Sequence, residues 1–175
     1  MRKKEMIDLL PITEASLAQF KAIRLRALLD SPGAFGSTHA WESQLTYAGW
    51  MERIGRWNNG RGVGYLAIDQ GIPCGIAGCL LHDDDPTGAQ LISMWVAPTH
   101  RQLGVGRLLV EEVIRWARSR GALRLQLTVT ARNDSAIRFY QRLGFAFTGK
   151  TIPYPNDPTE IEREMELVIA DPTGT

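Results

Sequence analysis

Two closely spaced glycines, Gly104 and Gly106, lie between an apolar segment and an amphipathic one. If a strand ends before them and a helix begins at them, the first amides of that helix and the positive end of its dipole can bind an anion. Glycine has no side chain to keep a phosphate away from those amides. Arg101 and Arg107 flank the pair and can add charge-assisted contacts. This segment indicates a phosphate site, although a tight turn can have the same pattern.

The glycine pattern differs from two common nucleotide motifs. The lysine and hydroxyl residue that end a P-loop are absent, and the third glycine position of the dinucleotide fingerprint is occupied by Leu109. The net charge of the chain is +1, so no overall field draws it to nucleic acid. We therefore expect no nucleic-acid partner and no dinucleotide fold.

A second segment with chemical potential begins at Asn133 and continues through Ala136, Tyr140 and Gly144. Its spacing is helical, and Asn133 is a residue type that caps helices. The phenol of Tyr140 can donate a proton as a general acid. Without a neighbouring motif, the same tyrosine would be read as a packing residue.

The two segments together resemble two motifs of the GCN5-related N-acetyltransferase superfamily. Residues 101–106 match R-x-x-G-x-G, and residues 133–145 match N-x-x-A-x-x-F-Y-x-x-x-G-F. The resemblance is specific over about residues 91–149, whereas residues 1–60 share only a strand–helix–helix pattern. It implies an N-acetyltransferase that takes its acetyl group from acetyl-CoA, needs no metal, and moves the group directly to an amine.

The resemblance also implies roles for individual residues. The pantetheine arm would lie between two splayed strands, and the Val96 amide would polarise the thioester carbonyl. Tyr140 would be the catalytic residue that protonates the departing thiolate, and Asn133 would help to hold the pantetheine. The residues expected to contact the coenzyme are Met94, Trp95, Val96, Arg101, Gln102, Leu103, Gly104, Val105, Gly106, Arg107 and Asn133.

The hydrophobic periods predict elements that could position these residues. We expect one mixed α/β domain over residues 1–175, with a mostly antiparallel sheet and a central β-α-β crossover. Residues 91–149 would form the CoA-binding core, and residues 1–60 and 150–170 the acceptor side. Predicted strands cover residues 6–10, 64–69, 72–82, 89–97, 123–130, 145–151 and 161–169; predicted helices begin near Thr13, cover about 38–57, end at Gly121, and cover 133–143.

An amine is mostly protonated at neutral pH, so the reaction needs a base. The ribosomal-protein alanine acetyltransferases of this superfamily have a glutamate five residues before the motif asparagine, where this chain has Thr128. Other members have a glutamate on the strand before the phosphate loop, whereas residues 90–95 contain no acid. The candidates that remain are His82, Glu42 and the three aspartates at residues 83–85.

The acceptor is expected on the side of the cleft opposite the pyrophosphate. Aromatic and acidic walls there would suit a small cationic amine. The candidates for these walls are Trp41, Glu42, Trp50, Tyr65 and the predicted loop at residues 152–158. A small-molecule amine is the expected acceptor; a peptide acceptor, or an acyl-CoA sensor without catalysis, remains as an alternative.

Composition limits the remaining possibilities. The chain has 175 residues and no apolar run near the roughly 20 residues of a membrane span, and the run 7–12 is too short for a signal peptide. Cys74 and Cys79 are expected to be free thiols in a reducing cytoplasm. The three histidines lack metal-ligand spacing, and the acidic turn is expected to be solvated. We expect a cytoplasmic protein without membrane contact; a homodimer remains an open alternative to a monomer.

Overall fold

The computed structural model describes residues 6–170, so the ends of the predicted domain, 1–5 and 171–175, lie outside the described residues. The strands are β1 (Asp8–Pro11), β2 (Gly62–Asp69), β3 (Ile72–Leu81), β4 (Gly88–Val96), β5 (Arg124–Thr130), β6 (Ala146–Tyr154) and β7 (Asp157–Val168). The helices are α1 (Leu17–Asp30), α2 (His39–Glu42), α3 (Tyr47–Gly55), α4 (Val105–Ser119) and α5 (Asp134–Arg142).

The seven strands form a single sheet in the order β1-β2-β3-β4-β5-β7-β6. Among the strands of residues 6–170, only the β4–β5 pair is parallel, and the crossover between these strands is α4. The predicted mixed α/β fold, with a mostly antiparallel sheet and a central β-α-β unit, is confirmed.

The two parallel strands separate soon after they meet. Residues 88–90 of β4 pair with residues 124–126 of β5, and no pairing follows although both strands continue. Beyond this point β5 keeps its pairing with β7 as far as Thr130. The predicted splaying of the central strands is therefore present, and it opens a gap in the middle of the sheet.

A bulge in β4 lies at the start of this gap. Ile92 pairs with Gly78 and Trp95 with Ile76, so a separation of three residues on β4 lies opposite a separation of two residues on β3. The extra length includes Ser93, whose φ of 56° lies in the left-handed region. A bulge of this kind bends its strand and increases the local twist, which turns the end of β4 away from β5.

Helices cover both faces of the sheet. Ala67 and Gly75 pair across β2 and β3, and the side chains of α4 pack on the face that they share. Gly64 is three residues from Ala67 and thus on the opposite face, where it approaches Trp57 after α3. Across residues 6–170, no helix is both long enough and apolar enough to cross a membrane.

The predicted second helix, 38–57, is wrong in one respect: it consists of two helices. Thr38 caps α2 by accepting a hydrogen bond from the Trp41 amide, and Thr46 begins α3 by accepting one from the Gly49 amide, each at 3.2 Å. The extended backbone of Thr46, with φ −70° and ψ 169°, interrupts the helix. Hydrophobic spacing persists across such a break, so periodicity alone did not reveal it.

The predicted loop at residues 152–158 is also wrong, because β6 continues to Tyr154 and β7 begins at Asp157. The hairpin is held by tertiary contacts: the Tyr154 hydroxyl donates to the carbonyls of Phe35 (2.7 Å) and Pro32 (3.1 Å). Pro153 is tolerated because β6 is an edge strand. Strand β1 was predicted at 6–10 and lies at Asp8–Pro11.

An ion-pair network joins the first three helices beside the bulge. The Glu42 carboxylate is fully buried and accepts hydrogen bonds from Arg24 Nη2 (2.8 Å) and Arg24 Nε (3.0 Å). Arg53 Nη2 lies 2.9 Å from the same carboxylate. Arg24 Nη1 also donates to the Ser93 hydroxyl at 3.3 Å, which connects the network to the bulge.

The substitution Glu42→Gln should lower the free energy of unfolding at pH 7 by about 3 kcal/mol, because it leaves two arginines around an uncharged group. Burial by itself would raise the pKa of Glu42, but the hydrogen bonds and charge of Arg24 and the charge of Arg53 outweigh it, so the pKa is lowered. The stabilisation is therefore present above the ordinary glutamate pKa and is lost as the pH falls toward the lowered one.

Chemical denaturation of parent and variant across pH 3–7 tests this expectation. Glu52→Gln, an exposed change on α3, serves as the control and should shift the stability by no more than about 0.5 kcal/mol. A Glu42→Gln variant as stable as the control at pH 7 would mean that the network contributes no net stability.

Candidate active site

The gap between β4 and β5 forms a narrow slot of about 90 Å³. Met94 lies on the β4 side of the slot, Thr128 on β5 and Glu162 on β7. Asn133 lines the slot at the start of α5, and Tyr140 lines it in the last turn of the same helix. Three of the predicted site residues, from segments distant in the sequence, therefore meet at this slot. Their meeting depends on the divergence of the two strands.

The edge of β4 offers main-chain groups to the slot. The Ala97 amide donates to the Cys74 carbonyl at 2.8 Å, so the amide of Val96 points to the opposite edge of the strand. That edge faces β5, from which β4 has separated. The Val96 side of the strand thus has backbone positions that no neighbouring strand occupies.

The glycine segment forms the N-terminus of α4, as the sequence indicated. Gly104 is the cap residue with φ 88°, a left-handed conformation that favours glycine. Leu108 is the first residue whose amide bonds back to the Gly104 carbonyl, so the amides of Val105, Gly106 and Arg107 are available at the helix end. A Cβ added at Gly104 would meet no atom within 4 Å, which leaves open space above this turn.

Gly106 has a different role, because it allows a close approach. A Cβ at this position would lie 2.9 Å from Cζ of Phe139 and 3.2 Å from Cε of Met94. Glycine at 106 thus lets α4, β4 and α5 pack together at the slot. Val105 is buried in the core beside it.

The other residues that the sequence predicted to bind phosphate lie at the surface, and some of them already have partners. Arg101 pairs with Asp30 at 2.6 Å and donates from Nε to the Val96 carbonyl at 2.9 Å. Arg107 is exposed and lies 3.5 Å from Glu111. Gln102 has φ 63°, and Leu103 is exposed. Both arginines therefore already have carboxylate partners at this surface.

Trp95 lies away from the slot. Its side chain is buried, and its indole N–H donates to the Asp30 carboxylate at 3.0 Å. Arg101 binds the same carboxylate. Since Asp30 is the last residue of α1, Trp95 and Arg101 connect that helix to the end of β4 and do not line the slot.

Tyr140 is surrounded by aromatic rings. Its ring centroid lies 5.2 Å from that of Phe139 and 5.6 Å from that of Phe145, both edge-on. Burial raises the pKa of the Tyr140 phenol well above its ordinary value. The phenol has no hydrogen-bond partner within residues 6–170 and lies at the slot, so it is a protonated donor.

Asn133 caps α5, as its residue type predicted. Its side-chain oxygen accepts a hydrogen bond from the Ala136 amide at 3.2 Å. The side chain also lines the slot. The capping bond uses the oxygen, so the amide nitrogen is the group that can still donate.

A larger cavity of about 510 Å³, here called the large cavity, adjoins the slot. Ala34, Leu91, Ile92, Ser93, Thr128 and Glu162 line both. The residues that line the large cavity but not the slot are Phe20, Arg24, Phe35, Gly36, Ser37, Arg53, Arg56, Trp57, Gln90 and Pro155. The two spaces therefore share one wall, and Glu162 lies at their junction.

The aromatic residues named as candidates for the acceptor walls do not line the large cavity. Trp41 is exposed and stacks near Arg53, Trp50 is buried against Phe20 with ring centroids 5.8 Å apart, and Tyr65 is in the core. None of the three lines the large cavity. Helical spacing placed the tryptophans on α2 and α3, but the break between these helices decided which way they face. Of the predicted loop, Pro155 does line the cavity.

The chain is similar in sequence to a known protein family. Residues 24–145, more than half of the chain, match the model of the Acetyltransferase (GNAT) family. The chain belongs to this family. The resemblance inferred from the two sequence motifs is thereby confirmed.

Individual GNAT relatives match parts of the chain. Streptothricin acetyltransferase of Streptomyces lavendulae is 52% identical over 54 residues, 31% of this chain and 29% of its own. The [ribosomal protein bS18]-alanine N-acetyltransferase of Escherichia coli K12 is 37% identical over 84 residues, 48% of this chain and 55% of its own. The chain thus spans about a third to half of the curated relatives it matches.

A solved structure matches nearly the whole fold. The yncA protein of Salmonella typhimurium, solved with its cofactor acetyl-CoA, has a TM-score of 0.76, with 97% of this chain and 98% of that chain covered. Their sequence identity is 18%, so the comparison concerns the fold.

None of the three predicted base candidates lines the slot or the large cavity in this GNAT chain. Glu42 is enclosed by Arg24 and Arg53 and is absent from both walls. The aspartates at 83–85 form a turn: Asp83 pairs with Arg61, and Asp85 with Arg124. No group of three potential metal ligands occurs in the described part of the chain.

His82 lies in a third cavity, of about 300 Å³, that shares Gln90 and Thr128 with the large cavity. Its Nε2 atom is buried and has no hydrogen-bond partner within the described residues. His82 therefore remains a candidate base, although it lines a neighbouring cavity and not the slot.

Glu162 is the titratable residue at the junction, and the sequence analysis missed it. Burial raises the pKa of the Glu162 carboxyl above its ordinary value, although a hydrogen bond with Thr128 opposes the shift. The neighbouring glutamates of β7 have partners: Glu160 pairs with Arg132 and Glu164 with Lys150. Glu162 has no ion pair with any residue that the structure describes.

A sequence signal for Glu162 existed but was not specific. Residues 160–166 read Glu-Ile-Glu-Arg-Glu-Met-Glu, so alternate positions place four glutamates on one face of a strand. The pattern does not distinguish Glu162 from the others. Only the course of β5 and of residues 32–36 shows that Glu162 faces the gap.

Proposed function

We propose that this chain transfers an acetyl group from acetyl-CoA to the primary amine of a small molecule, with residues 1–175 acting as a single N-acetyltransferase domain. The observation that carries the proposal is the junction of the slot and the large cavity. A buried phenol, Tyr140, lines the slot, and Glu162, a carboxylate with no ion pair among the described residues, lines both spaces. A proton donor and a proton acceptor therefore flank one position where two substrates could meet.

The residues of the slot fit the coenzyme. The free amides at the start of α4 and the open space above Gly104 suit a pyrophosphate. The unpaired edge of β4 at Val96 suits the amides of a pantetheine arm, and the Asn133 side-chain nitrogen can add a donor. Arg101 and Arg107 would have to exchange their present carboxylate partners for phosphate, so we assign them a smaller share of the affinity.

Bound acetyl-CoA supplies a thioester whose carbonyl carbon accepts the amine. In the overall reaction a C–N bond forms and the C–S bond breaks. A protonated amine loses two protons from its nitrogen, of which one is balanced by the proton that reaches the sulfur and the other passes to solvent. Glu162, directly or through one water, takes the proton from the amine. Tyr140 gives a proton to the sulfur, and the Val96 amide hydrogen-bonds the carbonyl oxygen as it gains charge.

The dimensions of the large cavity favour a small acceptor. About 510 Å³ lies within the usual range of small-molecule sites. Residues 32–36 are held across it by the Tyr154 hydroxyl and by the Asn156 amide, which donates to the Phe35 carbonyl at 2.9 Å. The name of the relative from Streptomyces lavendulae agrees with a small-molecule acceptor, whereas that of the Escherichia coli relative agrees with a protein.

A thiol-release assay with acetyl-CoA and panels of small amines and of peptides tests the proposal. We expect release with small amines, and we expect acetyl-CoA at about 100 times its dissociation constant to stabilise the fold by about 2.7 kcal/mol. Gly104→Val should lose this stabilisation, since its side chain would fill the space above the turn. Release with peptides alone would indicate a peptide acetyltransferase, and binding without any release an acyl-CoA sensor.

Tyr140→Phe should lower turnover about 100-fold at saturating acetyl-CoA, toward the low end of general-acid effects. A thiolate is a fair leaving group, with a thiol pKa of about 8.5, so protonation helps it less than it would help an alkoxide. The ring and its packing remain, and acetyl-CoA affinity should not change. Steady-state kinetics with parallel calorimetry distinguish the outcomes: parental turnover in the variant would leave Tyr140 with a packing role only.

Glu162→Gln should lower kcat/KM at neutral pH by about 10²- to 10⁴-fold. Its carboxylate must be ionised to accept a proton, so the parental rate should rise with pH through the raised pKa of Glu162. The variant should lose that rise and recover only as the pH approaches the pKa of the amine, where free amine accumulates.

The matched control is Glu160→Gln, on the same strand face but outside both spaces; it should keep the parental pH profile. His82→Asn completes the series. If this variant loses activity while Glu162→Gln keeps it, the base is His82 and the assignment to Glu162 is incorrect.

A further inference from the structure

The charges around the large cavity are unevenly distributed. Three arginines, Arg24, Arg53 and Arg56, line it, and Glu162 is the one acid among the described residues of its wall. The polar groups that complete the wall are neutral. The cavity is therefore positive overall, contrary to the acidic walls that the sequence suggested.

The arginines are not neutralised by the network beneath them. Arg24 and Arg53 share the single carboxylate of Glu42, which leaves this group of three with a charge of +1. Arg56 adds a second positive charge, and its side chain has no ion pair within residues 6–170. Burial and the charges of Arg24 and Arg56 lower the pKa of Arg53, although the charges of Glu42 and Glu52 oppose this. A partly buried excess of positive charge favours a bound anion.

The positive and negative groups occupy different parts of the cavity. Glu162 also lines the slot, whereas Arg53 and Arg56 line the large cavity alone. Arg53 lies in the last turn of α3, Arg56 is the residue that caps this helix, and Glu162 lies in β7. An acceptor that fills the cavity thus meets a carboxylate where it faces the slot and guanidinium groups farther away.

We infer that the acceptor carries an anionic group in addition to its amine, so that the substrate class is amino acids and related amino-phosphonates. This inference rests on the proposed function. Arg53 and Arg56 hold the carboxylate or phosphonate, and the amine lies at Glu162, next to the slot. Arginine suits the role because its planar donors match the oxygens of both anions.

Pairs of acceptors that differ only in charge test the inference. One series contains ω-amino acids of increasing chain length, and each is compared with its primary amide and with the corresponding amino-phosphonate in the thiol-release assay. We expect kcat/KM for the best anionic acceptor to exceed that of its amide by about 10- to 100-fold, as for a hydrogen bond between charged groups. The chain length of the best ω-amino acid reports the distance between the site of the amine and the site of the anionic group. Comparison of each amino acid with its amino-phosphonate shows whether the site prefers a carboxylate or a phosphonate.

Arginine variants locate the anion. Arg56→Gln should reduce kcat/KM for the acid several-fold more than kcat/KM for the amide, because the amide has no anionic group for Arg56 to bind. Arg142→Gln, an exposed change at the end of α5, is the control and should keep the parental preference. Melting with and without acetyl-CoA verifies that both variants fold and bind the donor.

The outcomes separate the inference from the proposed function. Equal kcat/KM for acids and amides in the parent, or an unchanged preference in Arg56→Gln, would overturn the inference and leave acetyl transfer intact. Failure to acetylate any small amine, together with normal binding of acetyl-CoA, would overturn the proposed function. In that case, a melting shift with the amino acids that is lost in Arg56→Gln would still support the anion site.

Discussion

The separation of β4 from β5 is the constraint on which the site depends. Had the two strands remained paired beyond Gln90, no slot would exist and the edge of β4 at Val96 would be satisfied by β5. The separation coincides with the bulge at Ser93, whose left-handed backbone is unfavourable for a residue other than glycine. The Arg24–Glu42–Arg53 network contacts this bulge, so the same buried charges that connect the helices also support the opening of the sheet.

One set of contacts supports both halves of the proposed reaction. Asp30 at the end of α1 binds Trp95 and Arg101, and so fixes the end of β4 ahead of the phosphate loop. The residues that follow α1, at 32–36, cover the large cavity and are held by the hairpin of β6 and β7. The slot and the large cavity, the proposed donor and acceptor spaces, are therefore positioned by adjoining parts of one segment, which favours a fixed geometry where they meet.

The positive wall of the large cavity shows how a structural network can also serve in binding. Joining helices through two arginines and one buried carboxylate has a high cost in free energy, since each charge must be desolvated. A hydrophobic contact could have joined them at lower cost. The surplus positive charge beside the cavity gives the network a second use, and the proposal of an anionic acceptor follows from that surplus.

The sequence by itself determined the elements whose signals are local. Gly104 and Gly106 marked the start of α4, Asn133 marked the cap of α5, and the alternation in residues 124–130 indicated β5. The two motifs were sufficient to indicate the GNAT family. Only the tertiary structure decided what depends on direction and distance. Periodicity did not show the break between α2 and α3, so it misplaced Trp41 and Trp50. The alternating glutamates of β7 were visible, but Glu162 differs from Glu160 and Glu164 only because the strands separate beside it, and that separation is a property of the packed sheet.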